Sequence, residues 1–267
     1  MPLVSLFCFL FVIDVKNNYL VSGKQLVNLC IMPYRRLPNT DQARLRALQT
    51  ALNKSREEHP DELLYCQKLK LEVQAFLPIF EQAVGQYVQS KDLHARYGRT
   101  LAENFKSARL YLTHFIQVYN MCVMRGEINE DTRSFFGLNG SQSIPDMNTE
   151  SQLVNWGSKI ISGEEQRMYA GRGNRIYNPS IAVVKVKYEQ FLDIYHKHKD
   201  LLNTTQKLHE KVCDLRAKAD GLILELWNEI EGSFGVVDSD EKRQVCTSYG
   251  IVYFYRPHEQ NPLMDGL

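Results

Sequence analysis

Phe76-Leu77-Pro78-Ile79-Phe80 returns later in the chain as Phe191-Leu192-Asp193-Ile194-Tyr195, an offset of 115 residues. Leu93-His94 returns as Leu208-His209 at the same offset. After a three-residue slip, 106–118 runs against 218–230 and pairs Leu110 with Leu222, Leu112 with Leu224 and Phe115 with Trp227. Around the first segment, Val73, Leu77, Phe80, Val84 and Tyr87 recur at steps of four and three. Leu101, Phe105, Ala108, Leu112, Phe115 and Tyr119 continue the seam. A period of about 3.5 residues over that distance is the mark of helix packed lengthwise on helix. The second copy repeats it with Val184, Tyr188, Phe191 and Tyr195, then Val212, Ala219, Ile223, Leu226 and Ile230. Two such blocks, each with an apolar face to bury, predict an all-α fold: a duplicated antiparallel helical bundle with halves at about 61–127 and 178–234.

The middle of each seam is polar, at Lys91, His94 and Gly98 and again at Thr205 and His209. An unbroken helix over 62–125 would be about 96 Å long at 1.5 Å per residue, far above the usual length. A turn is therefore expected near 90–98 and another near Asn203, giving four long helices. Two unbroken helices would instead give an elongated hairpin.

The flanking segments are simpler. Asn39-Thr40-Asp41 offers side-chain oxygens to cap a lead-in helix carrying Leu45, Leu48 and Leu52, which His59-Pro60 stops. The connector 128–177 is rich in Gly, Ser, Asn and Pro, and holds one short helix near 150–162. Asn178-Pro179 would open the second block as cap and first helical residue. Residues 238–267 read as a short helix, a strand at 251–255 and a tail. That strand needs a partner: residues 33–37, the apolar N-terminal run, or a second copy of the chain.

Composition excludes more than it selects. With 32 Lys+Arg against 31 Asp+Glu, the net charge of +1 gives no bulk attraction to nucleic acid or anionic lipid. The six cysteines form no CxxC pair and fit a reducing compartment. Residues 3–13 are apolar but too short to span a bilayer. Residues 1–31 are expected to be an extension upstream of a true start at Met32; a signal or membrane-directing segment and an ordinary strand are the alternatives. Begun at Met32, the protein is expected in the cytoplasm, away from membranes.

Seven short segments carry a resemblance: Met32-Pro33-Tyr34-Arg35-Arg36-Leu37-Pro38, Val73-Gln74-Ala75-Phe76-Leu77-Pro78, Ala108-Arg109-Leu110-Tyr111, His114-Phe115-Ile116-Gln117-Val118, Arg125-Gly126-Glu127, Tyr177-Asn178-Pro179 and Tyr249-Gly250-Ile251-Val252-Tyr253. Over about residues 32–256 the chain resembles an uncharacterised family of helical proteins from Bacteroidales bacteria. The resemblance implies Met32 as the start and brings no activity or site residues.

For chemistry, His94 and His209 fall at matching points of the two blocks and would meet at one interior position if the halves pack about a twofold axis, as metal ligands do in bundles. Against this, both lie where a turn is expected, and the chain has no Glu-x-x-His pair. His196 and His198 are two apart, so on a helix they point about 200° apart. Gly171-Arg172-Gly173-Asn174-Arg175 offers two guanidinium groups on a flexible loop, suited to a phosphate or carboxylate, although the Walker ending is absent. Arg96, Arg99, Lys106 and Arg109, with Tyr97 and Tyr111, make one helix segment basic, and a solvated face pairing with neighbouring carboxylates is expected. Cys66, Cys122 and Cys213 fall among apolar positions and read as core residues. No nucleophile elbow or catalytic cysteine signature is present.

The expectation is a non-catalytic interaction or scaffold protein, without cofactor, whose partner is itself in a homo-oligomer or another protein. Arg172, Arg175, Tyr253 and Tyr255 are the interaction candidates. A metal- or cofactor-binding bundle using His94 and His209, and a nucleic-acid or phosphate binder, are the alternatives.

Overall fold

The computed structural model describes residues 34–59, 62–138, 143–234 and 239–254. Its elements in chain order are β1 (Tyr34–Arg35), α1 (Asp41–Glu57), α2 (Gln67–Met124), a 3₁₀ helix (Glu130–Phe136), α3 (Glu150–Tyr169), α4 (Ile181–Gly232), α5 (Ser239–Ser248) and β2 (Tyr253–Phe254). The mainly helical class, with a short C-terminal helix and strand, is as expected. Among the described residues no helix is long and apolar enough to cross a membrane. The start at Met32, the segment 1–31 and Tyr255 lie outside the described residues.

The described residues divide into two compact units, one of those up to Leu77 together with those from Ala219, the other within Pro78–Lys218. In the first, Thr40 caps α1 by accepting from the Ala43 amide at 3.2 Å. The face of α1 carrying Leu45, Leu48, Ala51 and Leu52 is buried, as are Ile223, Leu226, Trp227 and Ile230 of α4. The C-terminal strand takes the first of its three expected partners: Tyr34 faces Phe254 and Arg35 faces Tyr253 in an antiparallel pair. Thus α5 and β2 belong to the same unit as α1. Gly250 (φ 91°) makes this possible, because a side chain there would meet Thr50 at 3.1 Å as well as adopt a strained backbone.

Three tyrosines of this unit are engaged internally. Tyr65 donates to the Ala51 carbonyl at 3.1 Å, Tyr253 donates to Glu231 at 2.7 Å, and Tyr249 donates to Glu58. Burial pushes all three phenols above the usual tyrosine value of 10.0, and for Tyr249 and Tyr253 the adjoining carboxylates push further the same way. A raised folded-state value gives stability that is complete below pH 10 and is lost as pH rises beyond it, because the unfolded chain gives up its protons first. The urea midpoint is expected to fall between pH 9 and pH 11, and to fall less in Tyr253→Phe. An unchanged midpoint over that range would refute the assignment.

The second unit packs 78–124 of α2 and 181–218 of α4 antiparallel, with α3 and the 3₁₀ helix closing the core. Leu112, Phe115, Ile116, Tyr119, Phe136, Leu153, Ile160, Val184 and Phe191 form its centre. The turns expected near 90–98 and Asn203 do not occur; both stretches are helical throughout. The polar layer is instead matched across the pair. Ser90 and Thr205 hydroxyls hydrogen bond at 2.7 Å, the His94 and His198 rings stack at 4.4 Å, and the rings of Tyr87 and His209 lie 5.2 Å apart. The Ser90–Thr205 bond gives both hydroxyls a partner inside the helix pair, although His94 Nε2 is buried without a hydrogen-bond partner among the described residues. The short helix of the connector is longer than expected, running to Tyr169, and begins with a capping box in which Thr149 and Gln152 exchange hydrogen bonds. Asn178-Pro179 is a cis peptide ahead of α4, not its cap; the Ser180 carbonyl accepts from Val183 and Val184 instead.

Candidate functional site

The glycine loop between α3 and α4 is built around a buried guanidinium. Arg167 lies in the last turn of α3, on the face that carries Leu153, Ile160 and Glu164 into the core. Arg167 is 0% exposed and Glu164 2%. The pair is bidentate: Arg167 Nε donates to Glu164 at 2.7 Å and Nη2 at 2.6 Å. The other donors turn to the loop, Nη1 reaching the Arg172 carbonyl at 2.6 Å and Nη2 the Asn174 carbonyl at 3.0 Å. The planar fork of arginine suits this, since it presents five donors in fixed directions.

Two glycines let the loop wrap so closely. Gly171 (φ 64°) and Gly173 (φ 86°) are left-handed, and a Cβ on Gly173 would come within 3.3 Å of Arg167 Nη1. The loop's inward carbonyls are thereby spent on Arg167. Its outer surface is what remains for a ligand. There Tyr169 and Tyr177 are 96% and 80% exposed, and Arg172 and Arg175 are exposed between them. Beneath the loop, the Tyr119 hydroxyl meets Thr132 at 2.8 Å. Burial raises the Tyr119 value, opposed by that hydrogen bond and by the nearby Arg133 and Arg167.

Compared with protein-family models, curated proteins and solved structures, the chain finds no match in any. The site therefore rests on its own geometry.

The histidines fall elsewhere than the duplication suggested. The ring partner of His94 is His198, while His209 lies against Tyr87 and the Cys213 thiol, at 3.6 Å from Nε2. The reason is directional. Ser90 and Thr205 stand opposite one another, and His94 and His209 each lie four residues further on. In antiparallel helices those steps run apart, separating the two by on the order of 12 Å along the axis. Among the described residues no group of three or more His, Cys, Asp or Glu is placed to hold a metal ion.

Other expected residues are distributed as follows. Arg96, Arg99, Lys106 and Arg109 are exposed, but the expected pairing with carboxylates is absent among the described residues. Lys106 and Arg109 line a cleft of about 670 Å³ with Tyr195, His198 and the start of α3. Cys122 is buried and Cys213 half-buried, but Cys66, expected in the core with them, is exposed. Its amide and thiol both face Glu229, at 2.7 and 3.4 Å. Tyr253 is tied to Glu231 rather than free for docking. Arg172 and Arg175, expected as interaction candidates, are exposed on this loop, whereas Tyr169, Tyr177 and the Arg167–Glu164 support carried no expectation. An arginine four residues ahead of a Gly-x-Gly loop, with a glutamate one turn before it, was the available signal.

Proposed function

We propose that this chain is a non-catalytic helical interaction protein that self-associates through loop 169–177. The observation that carries the reading is the display of Tyr169, Arg172, Arg175 and Tyr177 on a loop fixed from within by Arg167. Tyrosine and arginine are the residue types that dominate interface energetics. A loop already held in one conformation gives up little entropy on docking. Exposed Leu110, Met121 and Met124 extend the apolar surface of the same unit; they lie eleven and fourteen residues apart, about three and four helical turns, on one face of α2. The likeness to the Bacteroidales family stays a proposal on the segments quoted for it.

Light scattering on the full chain at about 100 µM is expected to give a multiple of the 31.0 kDa subunit mass. The double variant Tyr169→Ser/Tyr177→Ser is expected to run as a monomer with its helical content unchanged, since neither ring is packed. A monomeric wild type, or an oligomer indifferent to the double variant, would overturn the reading.

A further inference from the structure

We propose that the first unit binds a small organic anion, with an aromatic or apolar body and one sulfonate, carboxylate or phosphate group, in the cleft between the 36–39 segment, the start of α1 and β2. The cleft is about 420 Å³, within the range of small-molecule sites. Its walls are apolar at Leu37, Pro38, Ala47, Val252 and Phe254. Its polar lining is one-sided, for no Asp or Glu contributes to it, while Arg36 and Arg46 both do.

Neither arginine has a carboxylate partner among the described residues. Arg36 lies over the Phe254 ring at 5.5 Å, and its backbone is fixed by the Arg36 amide donating to the Val252 carbonyl at 3.1 Å. Asn39 and Ala43 bring the N-terminal turn of α1 to the same place, and that end of a helix favours negative charge. Trp227 forms part of the cleft and is 1% exposed, yet its buried indole Nε1–H meets no acceptor among the described residues. Buried indole N–H groups ordinarily find one. Two guanidinium groups without carboxylate partners, beside the N-terminal turn of a helix, favour an oxyanion next to an apolar body. The aromatic ring under Arg36 and the proline and leucine opposite suit a flat body better than a bare phosphate ion.

The probe is 8-anilinonaphthalene-1-sulfonate, compared with its uncharged analogue N-phenyl-1-naphthylamine, on the full chain. The background is Trp156→Phe, which leaves Trp227 as the sole tryptophan. Saturable binding of one sulfonate per chain is expected, with energy transfer from Trp227 and at least tenfold weaker binding of the neutral analogue. Arg46→Ala and Arg36→Ala are each expected to weaken the sulfonate about tenfold while leaving the circular dichroism melt in place. Non-saturable uptake, equal affinity for both probes, or full affinity in the Arg36→Ala/Arg46→Ala double variant would overturn the site. Because oligomeric mass is not the readout, failure here is separable from failure of the loop reading.

Discussion

Arg167→Met is expected to destabilise the second unit by about 3–5 kcal/mol, the cost of leaving one partner of a buried ion pair behind. The Glu164 carboxylate, 2% exposed, would be left buried without the guanidinium that now holds both its oxygens. The carbonyls of Arg172 and Asn174 would also lose their donor. Arg167→Lys is no rescue, because a single ammonium cannot reach a bidentate carboxylate and two carbonyls at once. The double variant Arg167→Met/Glu164→Leu removes both charges together, and most of the lost stability is expected to return, since apolar replacement of a buried pair is often neutral. The loop is not expected to recover with it, as its carbonyls stay unmet. Urea denaturation reads the first effect, and amide exchange across 170–176 the second. If Arg167→Met stays within about 1 kcal/mol of wild type, the buried pair is not what holds this region.

That contrast shows which parts of the molecule were legible beforehand. The seam of Leu112, Phe115, Tyr119, Val184 and Phe191 was readable because burial of one helix face writes a period of about 3.5 residues into the chain, and those residues are the core. The polar layer at Ser90, His94, Thr205 and His209 was misread as a pair of turns. Helical period reports which positions share a face, whereas the partner that satisfies a polar side chain lies over a hundred residues away. The histidines were misplaced for a related reason: a repeat offset identifies equivalent positions, and antiparallel packing brings equivalents together only near the crossing at Ser90 and Thr205.

The loop was half legible. Glycines and arginines announce a turn and a charged surface, but Glu164-x-x-Arg167 has the spacing of an ordinary solvent-facing helix pair. Only the packing of α3 against the core turns that pair inward. Tyr169 and Tyr177, being aromatic, would be assigned to a core by composition; in the structure they are among the most exposed side chains described. The pairing of residues 34–35 with 253–254 was one of three open choices, and hydropathy carries no signal that selects among strand partners so far apart.

A second large effect is expected at Gly163, where α3 approaches the 3₁₀ helix. A Cβ built there would stand 2.5 Å from the Phe135 carbonyl oxygen and 2.8 Å from the Phe136 ring. The nearest obstacle is backbone, which cannot rotate aside as a side chain can, so α3 or the 3₁₀ helix must shift. Overpacking of that kind typically costs about 1–3 kcal/mol, and the helix-propensity gain of roughly 1 kcal/mol from Gly to Ala offsets part of it. Gly85 supplies the internal control, because it is also helical and exposed, with nothing within 4 Å of its Cβ position. Gly85→Ala is expected to stabilise by about 0.5–1 kcal/mol, leaving only the propensity term. Gly163→Ala is expected to lower stability by up to about 2 kcal/mol after that gain is counted. Opposite signs for the same substitution at two helical positions would tie the loss to the contact with Phe135 and Phe136. Equal and favourable effects at both would mean that α3 does not pack at this distance. The Phe135–Phe136 segment caps the core that also buries Arg167, so Gly163→Ala is further expected to speed amide exchange across loop 170–176, linking the docking of α3 to the order of the displayed tyrosines.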